Sequence, residues 1–432
     1  MSLRRNAMLL VVAAALLAIM GYWSGDAGLG GLWALPAALL LIGLAYESWR
    51  VARSAPAVSL VAPDTLYLGR DALVHFVCRH GLDRRLELQL APSAPDSFEL
   101  DARPVAVRVD AGAAAQVERT VNPTRLGSYS WPAAHLRIAG PFGLAWWPKQ
   151  AVPSHHVRVL PDMIRRAGGV LGLAARGAKA GIRAGGGAEV MRLREYRAGD
   201  APRVIDWKAT ARAGRLISRD FAQDHRLQIV IAVDAGRTSA LRAGALDRFG
   251  HYVNVAARLA EHAALDDNLV GLIVYADRPL IVLPPVRGAD GVVRLRALLA
   301  TARVARTESN PLYAAMRVRS LVRHRSLVVM LTDVDDTTAA SQLVQGVRLL
   351  LPTHLPFVAG LSSAAAEAMA GAAAQHWLDP YRSLAAQEYS IGLARKVRAL
   401  NAWGAPALVA RPEQLEPAVI TAYEEFRRQR RA

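Results

Sequence analysis

Hydrophobic and polar positions change period twice along the chain, and three regions follow from that. Residues 7–22 (AMLLVVAAALLAIMGY) and 29–46 (LGGLWALPAALLLIGLAY) are uncharged and apolar. Each approaches the ~17–25 residues that a bilayer-crossing helix needs. Only a short WSGDAG turn separates them, so they predict a transmembrane helical hairpin. From Val58 to about Leu160 the pattern becomes short apolar/polar alternations broken by turn residues: TLYLG, ALVHFVC, LELQLA, VAVRV, AQVERTV and HLRIAG. Short strands at this spacing predict a small antiparallel β-sandwich. From residue 227 apolar runs (LQIVIAVD, NLVGLIVYA, RPLIVLP, SLVVMLTD, LPFVAGL, APALVA) alternate with helical stretches near 243–264, 289–302, 311–323, 338–350, 382–402 and 413–430. That alternation predicts an α/β unit, a mostly parallel sheet with helices on both faces.

The expected domains are therefore a hairpin at 1–53, a β-sandwich at 54–164, and an α/β domain at 189–432 that takes in the charged stretch before its first strand. Between the last two, residues 165–188 are rich in Gly, Ala and Arg and predict a flexible connector. They contain no phosphate-loop motif in a strand–turn–helix setting.

Charge adds an orientation. Arg4 and Arg5 precede the first span, Arg50 and Arg53 follow the second, and the turn between holds only Asp26. The positive-inside rule then puts both termini and the soluble domains on the cytoplasmic side of the membrane. Trp23, Trp33, Tyr46 and Trp49 stand at or near the span ends, where interfacial aromatics belong. A cleaved signal peptide is the other reading of the first span, but no small-residue cleavage site precedes a polar region. Net charge is +17, yet only four of the 53 basic residues are lysine, a bias that fits a GC-rich genome, the other reading being a basic surface facing anionic lipid or a partner. Residues 165–220 hold thirteen basic and five acidic side chains but carry no helix-turn-helix, zinc or aromatic-platform signature, so nucleic acid is not expected. The single cysteine, Cys78, excludes an internal disulfide and lies in a strand-like apolar run, as an inert buried thiol would.

The densest chemistry runs from Glu195 to Ser239. Glu195, Arg197, Asp200, Arg203, Asp206, Trp207, Lys208, Arg212, Arg215 and Arg219 alternate in sign at short spacing, and an apolar strand closing on Asp234 follows. Mutual ion pairs are expected to hold the stretch, since Arg binds carboxylates in a fork that Lys cannot match. Trp207 is expected to anchor it in an apolar slot. An Asp at the carboxyl end of a buried parallel strand sits where such sheets place ligands.

The segment REYRAGDAPRVIDWKATARAGRLISRDF, followed by a strand ending VDAGRTS, resembles the domain-of-unknown-function family 58. NPTRLGSYSWPAAHLRIAGPFGLAWW resembles a second family segment, R-x-G-x-Y…D-P-F-G-L, with Gly140 where an Asp is common. There Phe142, Trp146 and Trp147 are expected to pack the domain or its membrane side. The resemblance implies membrane-anchored bacterial proteins with a von Willebrand factor A-like, Rossmann-like sheet, encoded beside MoxR-type AAA+ ATPases. Such domains often hold Mg²⁺ or Mn²⁺ in an adhesion-type site built from D-x-S-x-S, a second-loop hydroxyl and a third-loop Asp. By that resemblance Asp234, Thr238 and Asp333 become candidate ligands. Gly236 replaces the first serine, and Thr307, Ser309 and Asn310 compete for the second loop, with Ser309 preferred. Hard cations take oxygen ligands, which suits these types. Arg237, beside the acids, is the residue that would neutralise them in the metal's place. Without a metal, Asp234 and Asp333 would cap helices and bind loop amides.

The partner-docking candidates are Glu195, Tyr196, Arg197, Gly199, Asp200, Arg203, Asp206, Trp207, Arg212 and Arg219. The function these imply is a non-enzymatic membrane-anchored adaptor or scaffold. Its protein partner would be a MoxR-type AAA+ ATPase, acting with it in the assembly or maturation of another complex. The alternative is a metal-dependent membrane-bound hydrolase or envelope-processing enzyme using Asp234 and Asp333. No nucleophile–base–orienter set supports that alternative.

Overall fold

The computed structural model describes residues 2–24, 31–53, 56–81, 85–153, 155–162, 184–197, 200, 202–222, 227–335 and 337–431. The turn expected at 23–28 and the connector at 165–188 fall mostly outside them. The chain divides into two compact units, Met1–Leu160 and Pro161–Ala432.

In the first unit the two apolar segments are helices α1 (Arg5–Ser24) and α2 (Ala34–Ala52), with mean hydropathies of 2.1 and 1.2. Both are long and apolar enough to cross a membrane, and only 11% of each is buried within the protein. Apolar side chains such as Leu16, Leu39 and Ile42 face outward, an arrangement that water penalises and lipid does not. The alternating stretches form sheets as expected. A five-stranded antiparallel sheet runs through Ser2–Leu3, Ala145–Ala151, Ala134–Ala139, Leu86–Ala91 and Val105–Val109. A four-stranded one contains Ala57–Val61, Ala72–Arg79, Ala114–Pro123 and Phe98–Leu100. Period-two burial is clearest where Leu86, Leu88 and Leu90 go inside and Glu87 and Gln89 do not. Phe76, Phe98 and Trp131 meet edge to face in the core, and the Trp131 indole N–H donates to the Ser93 carbonyl at 2.7 Å. Cys78 is buried there too, and burial pushes its thiol up to about 11.

One carboxylate joins the helices to the sheet. Glu47, in the last two turns of α2, has no exposed surface. Its oxygens accept backbone N–H bonds from Phe142 at 2.9 Å, Leu144 at 3.1 Å and Ala145 at 3.1 Å. The Trp147 indole adds a fourth donor at 3.3 Å. Gly140 is a glycine for a steric reason: a Cβ there would lie 2.0 Å from the Glu47 carboxylate. At Gly140 this chain leaves a gap, and a carboxylate from α2 fills it. The loop is held from α1 as well. Asn6 donates to the Phe142 carbonyl at 2.9 Å, and the Arg4 guanidinium covers the Trp146 ring at 4.4 Å. Trp147 therefore hydrogen-bonds rather than merely packs, while Phe142 stays exposed and touches Tyr46.

The second unit opens with a ribbon of β1 (Ala184–Glu195) and β2 (Ile217–Ala222), with the short helix α3 (Trp207–Ala213) between them. Residues 184–188, expected as connector, already belong to β1. A six-stranded sheet follows, built from β3 (Gln228–Asp234), β4 (Leu269–Tyr275), β5 (Pro279–Arg287), β6 (Leu327–Leu331), β7 (Leu355–Leu361) and β8 (Ala407–Ala410). Their spatial order is β5-β4-β3-β6-β7-β8. All neighbours are parallel except β5, the RPLIVLP run, which returns antiparallel to β4 and makes the sheet mixed. The helices are α4 (Arg248–Leu265), α5 (Gly288–Thr301), α6 (Pro311–Leu321), α7 (Thr337–Leu350), α8 (Ala364–Gly371), α9 (Asp379–Ala402) and α10 (Pro412–Arg431). Side-chain caps start several: Asp206 accepts from Ala209 N–H, Asp247 from Gly250, Asn310 from Tyr313 and Ser363 from Ala366. Val230, Ala232, Ile273, Val328, Met330 and Val358 form one core with Ala314, Val318, Leu343, Val347 and Leu400. The alternate positions Ile229, Ile231, Leu272 and Val329 are equally buried, so both faces of the sheet are covered.

Candidate functional site

The carboxyl ends of β3 and β6 lie side by side, because Val233 pairs with Leu331. That register brings Asp234, Thr332 and Asp333 to one edge of the sheet. Asp234 is fully buried and its oxygens are shared out. Gly236 N–H donates to Oδ1 at 2.8 Å, while the hydroxyls of Ser309 and Thr332 donate to Oδ2 at 2.7 and 2.6 Å. Of the three second-loop candidates, Ser309 is the one that reaches Asp234. The Thr307 hydroxyl donates to Asp277 and Asn310 caps α6. Thr238 lies in a single helical turn, Arg237–Ala240, and its side chain is not among those bonded to Asp234. Gly236 permits a close approach: a Cβ would stand 2.9 Å from the Ser309 Cβ and 3.0 Å from its backbone nitrogen.

Asp333, 3% exposed, belongs to a second network. Arg248, the first residue of α4, is itself buried and forks between Asp333 and Asp335, reaching the latter at 3.2 Å. Asp335 N–H donates back to Asp333 Oδ1 at 3.0 Å. Helix α9 closes the loop from outside: Tyr389 donates its hydroxyl to Asp335, and Lys396 donates to the carbonyls of Val334 and Asp335 at 3.3 and 2.7 Å. Burial pushes the Asp333 carboxyl up to about 6; the Arg248 guanidinium pulls the other way and Asp335 adds to the push. Burial is the largest single influence on Arg248 and works against its charge, but Asp333, Tyr252, Asp335 and Tyr389 together outweigh it and raise the guanidinium.

The arginine expected beside the acids is therefore a different one. Arg237 points to Glu308 in an exposed ion pair, and Arg248, the first residue of α4, takes the place beside Asp333. The only sequence signal for it was an arginine at the first position of a helix, where the dipole disfavours a cation unless something pairs with it. The donor set does not fit a divalent cation. One of its two acids is already neutralised by a guanidinium, the other is saturated by three donors, and no side chain fits at 236. Among the described residues no cluster of three or more His, Cys, Asp or Glu is arranged for a metal.

The charged stretch is an ordered module locked by the expected ion pairs. Arg194 forks onto Asp200 with two bonds of 2.8 Å, Arg219 pairs with Asp206 at 3.2 Å, and Arg215 pairs with Glu195. Asp200 also accepts from Arg197 N–H and from the Ser218 hydroxyl, and the Tyr196 hydroxyl donates to its carbonyl at 2.9 Å. The Arg194 fork, more than any other contact, holds the Asp200 carboxyl well below the usual carboxylate range. Asp206 is also lowered, first by the Ala209 N–H it caps. Gly214 ends α3 in the left-handed region at φ 64°. Arg212 stands exposed in the last turn of α3. Gly199 and the Arg203 side chain lie outside what the structure describes.

Trp207 overturns its expectation. It is the first residue of α3 and 65% exposed, so the ion pairs hold the module and the indole anchors nothing. Leu193 and Leu216 on the same module are 51% and 44% exposed.

No curated protein matches the chain. Among solved structures, conserved hypothetical protein BatB from Bacteroides thetaiotaomicron is similar at 16% identity and a TM-score of 0.27, over 31% of this chain and 66% of that one. The CARDB domain of PF1109 from Pyrococcus furiosus aligns at 11% identity and TM-score 0.18, covering 25% and 89%. Native alpha-2-macroglobulin from Escherichia coli aligns at 19% and 0.20, covering 26% and 17%. Residues 192–349 match the model of a family described as protein of unknown function DUF58. That span begins in the ion-paired ribbon and ends at the close of α7, so the DUF58 match takes in both acidic edge loops.

Proposed function

We propose that the protein is a non-enzymatic, membrane-anchored docking protein whose von Willebrand factor A-like second unit recruits a protein partner through the ion-paired module. The single observation that carries this is Trp207, 65% exposed at the start of a capped helix. An indole left in water is costly unless something covers it, and rigid aromatic anchors ringed by arginines are the common core of protein docking sites. The ion pairs around it support display rather than chemistry. They fix Glu195, Asp200 and Asp206 on arginines, and none is left as a free general base. The enzyme alternative gains nothing from Asp234 and Asp333, which are buried and fully engaged.

Following the family resemblance, the partner is a MoxR-type AAA+ ATPase, with the pair acting on assembly or maturation of another complex. The apolar helices α1 and α2 support a membrane location, and the positive-inside rule supports cytoplasmic soluble units in a bacterial inner membrane. Affinity capture of the full chain from native membranes, with crosslinking and mass spectrometry, tests the reading. Recovery of an AAA+ ATPase is expected, with Trp207→Ala losing most of it while the variant melts within a degree or two of the wild type. Absence of any ATPase after crosslinking overturns it.

A further inference from the structure

Resting on the membrane anchoring put forward above, we propose that the turn at 140–143 is a lipid-surface contact. Its Phe142 lies in the headgroup layer of the bilayer that α1 and α2 cross. Gly143 N–H closes the turn on the Gly140 carbonyl at 3.0 Å, which leaves Pro141 and Phe142 at the tip. Turn tips select Gly, Asn, Asp, Ser and Pro, residues that water accepts. A phenyl ring in that place, 56% exposed, is out of pattern for a loop that faces only water.

The height of the turn along the helices identifies what covers the ring. The Phe142 carbonyl is held by Asn6, in the first turn of α1. Its N–H is held by Glu47, which directly follows the uncharged segment of α2. The twenty residues of α1 rise about 30 Å, the thickness of a bilayer's hydrocarbon. The helix ends that grip the turn therefore mark the boundary between tails and headgroups. Along α2, the spacing of Leu39, Ile42, Tyr46 and Trp49 puts them on one face, and all four are exposed. Phe142 extends that outward stripe from the sheet side, its ring 5.5 Å from that of Tyr46. Cations stand at the same level: Arg53 covers the Trp49 ring at 4.0 Å, and Arg4 covers the Trp146 ring. Aromatics backed by arginines suit the interfacial layer of a phospholipid bilayer, where anionic headgroups balance the charge. A protein docked on the soluble side would meet only the tip of this stripe, whereas lipid covers all of it.

The test uses the full chain reconstituted in vesicles of phosphatidylcholine and phosphatidylglycerol, with single introduced cysteines carrying a nitrobenzoxadiazole fluorophore. The native Cys78 is buried and should take none, which the wild type checks. Leu39→Cys reports the span and Phe142→Cys the turn. Val152→Cys reports the water side, since Val152 is exposed one residue past the Ala145–Ala151 strand that leads away from the turn. Quenching is read with lipids bearing a nitroxide either on the headgroup or near the middle of the acyl chain. Leu39→Cys is expected to be quenched chiefly by the mid-chain nitroxide, and Val152→Cys by neither. Phe142→Cys is expected to be quenched about twofold or more better by the headgroup nitroxide, the two positions lying on the order of 10 Å apart. A Phe142→Cys probe that neither lipid quenches overturns the proposal, and if its emission shows it shielded from water, a protein covers the turn instead. Should Leu39→Cys be quenched in that same case, the anchoring stands and only this inference falls. Should Leu39→Cys be unquenched too, the anchoring fails and takes this inference with it.

Discussion

Glu47 in the first unit and Asp333 in the second are both buried acids that join distant segments, and they are satisfied in opposite ways. Glu47 lies among N–H dipoles, three from the backbone and one from an indole, with no cation in ion-pair range among the described residues. Asp333 is met by the full charge of Arg248 and by one amide. Dipoles cost little to bury, because backbone amides must be paired somewhere in any case. A guanidinium has to be desolvated along with its partner, and the attraction only roughly repays that. The cradle thus depends on loop shape, the ion pair on the presence of one side chain.

Breaking the cradle should have the largest effect. Glu47→Ala strands four donors, and at ~1–3 kcal/mol for each unsatisfied buried group even partial hydration leaves a loss on the order of 3 kcal/mol. Hydrogen exchange at Phe142, Leu144 and Ala145 should accelerate by a hundredfold or more in detergent-solubilised protein. A loop whose exchange is unaltered would mean that its shape does not depend on the carboxylate. Gly140→Ala should come next, at about 1–3 kcal/mol, from overpacking against the carboxylate. In the Glu47→Ala background the same change should be almost neutral, and this coupling is the sharper measurement. If Gly140→Ala costs the same in both backgrounds, the steric account of Gly140 fails.

The smallest expected effect is electrostatic. Asp333 titrates near 6 folded and near the ordinary ~4 unfolded. Between those values the folded protein holds a proton that the unfolded chain has lost, so this group's contribution to stability falls as pH rises from about 4 to about 6 and is flat above. Melting curves of wild type and Asp333→Asn across that range should differ in slope with that sign. Opposite slopes belong to Asp200 and Asp206, whose lowered values stabilise at neutral pH and lose that effect in acid.

Much of the fold was legible because period and punctuation are local. The helix expected at 311–323 runs over Pro311–Leu321 and the one at 338–350 over Thr337–Leu350, since Pro311 at the first turn and Asn310 as cap are sequence-local signals. The antiparallel return of β5 was not legible: a Val/Leu/Ile run is equally apolar in either direction, and only its pairing with β4 sets the sense. At the site, Asp234 was legible at the end of its strand and Asp333 through the family resemblance, whereas Arg248 and Glu47 act on groups 85 and 95 residues away. Trp207 was misjudged because composition says that tryptophan prefers burial, and says nothing about a module held together by its charges.

The cradle has a mechanical corollary. Residues on a helix advance by about 100° each, so a carboxylate received by three fixed amides sets the azimuth of α2 as well as its height. Helix α2 cannot spin or slide without dragging the 140–147 loop along. A helix mounted in this way is bolted rather than tethered, and any tilt of α2 is handed directly to the sheet that follows the loop.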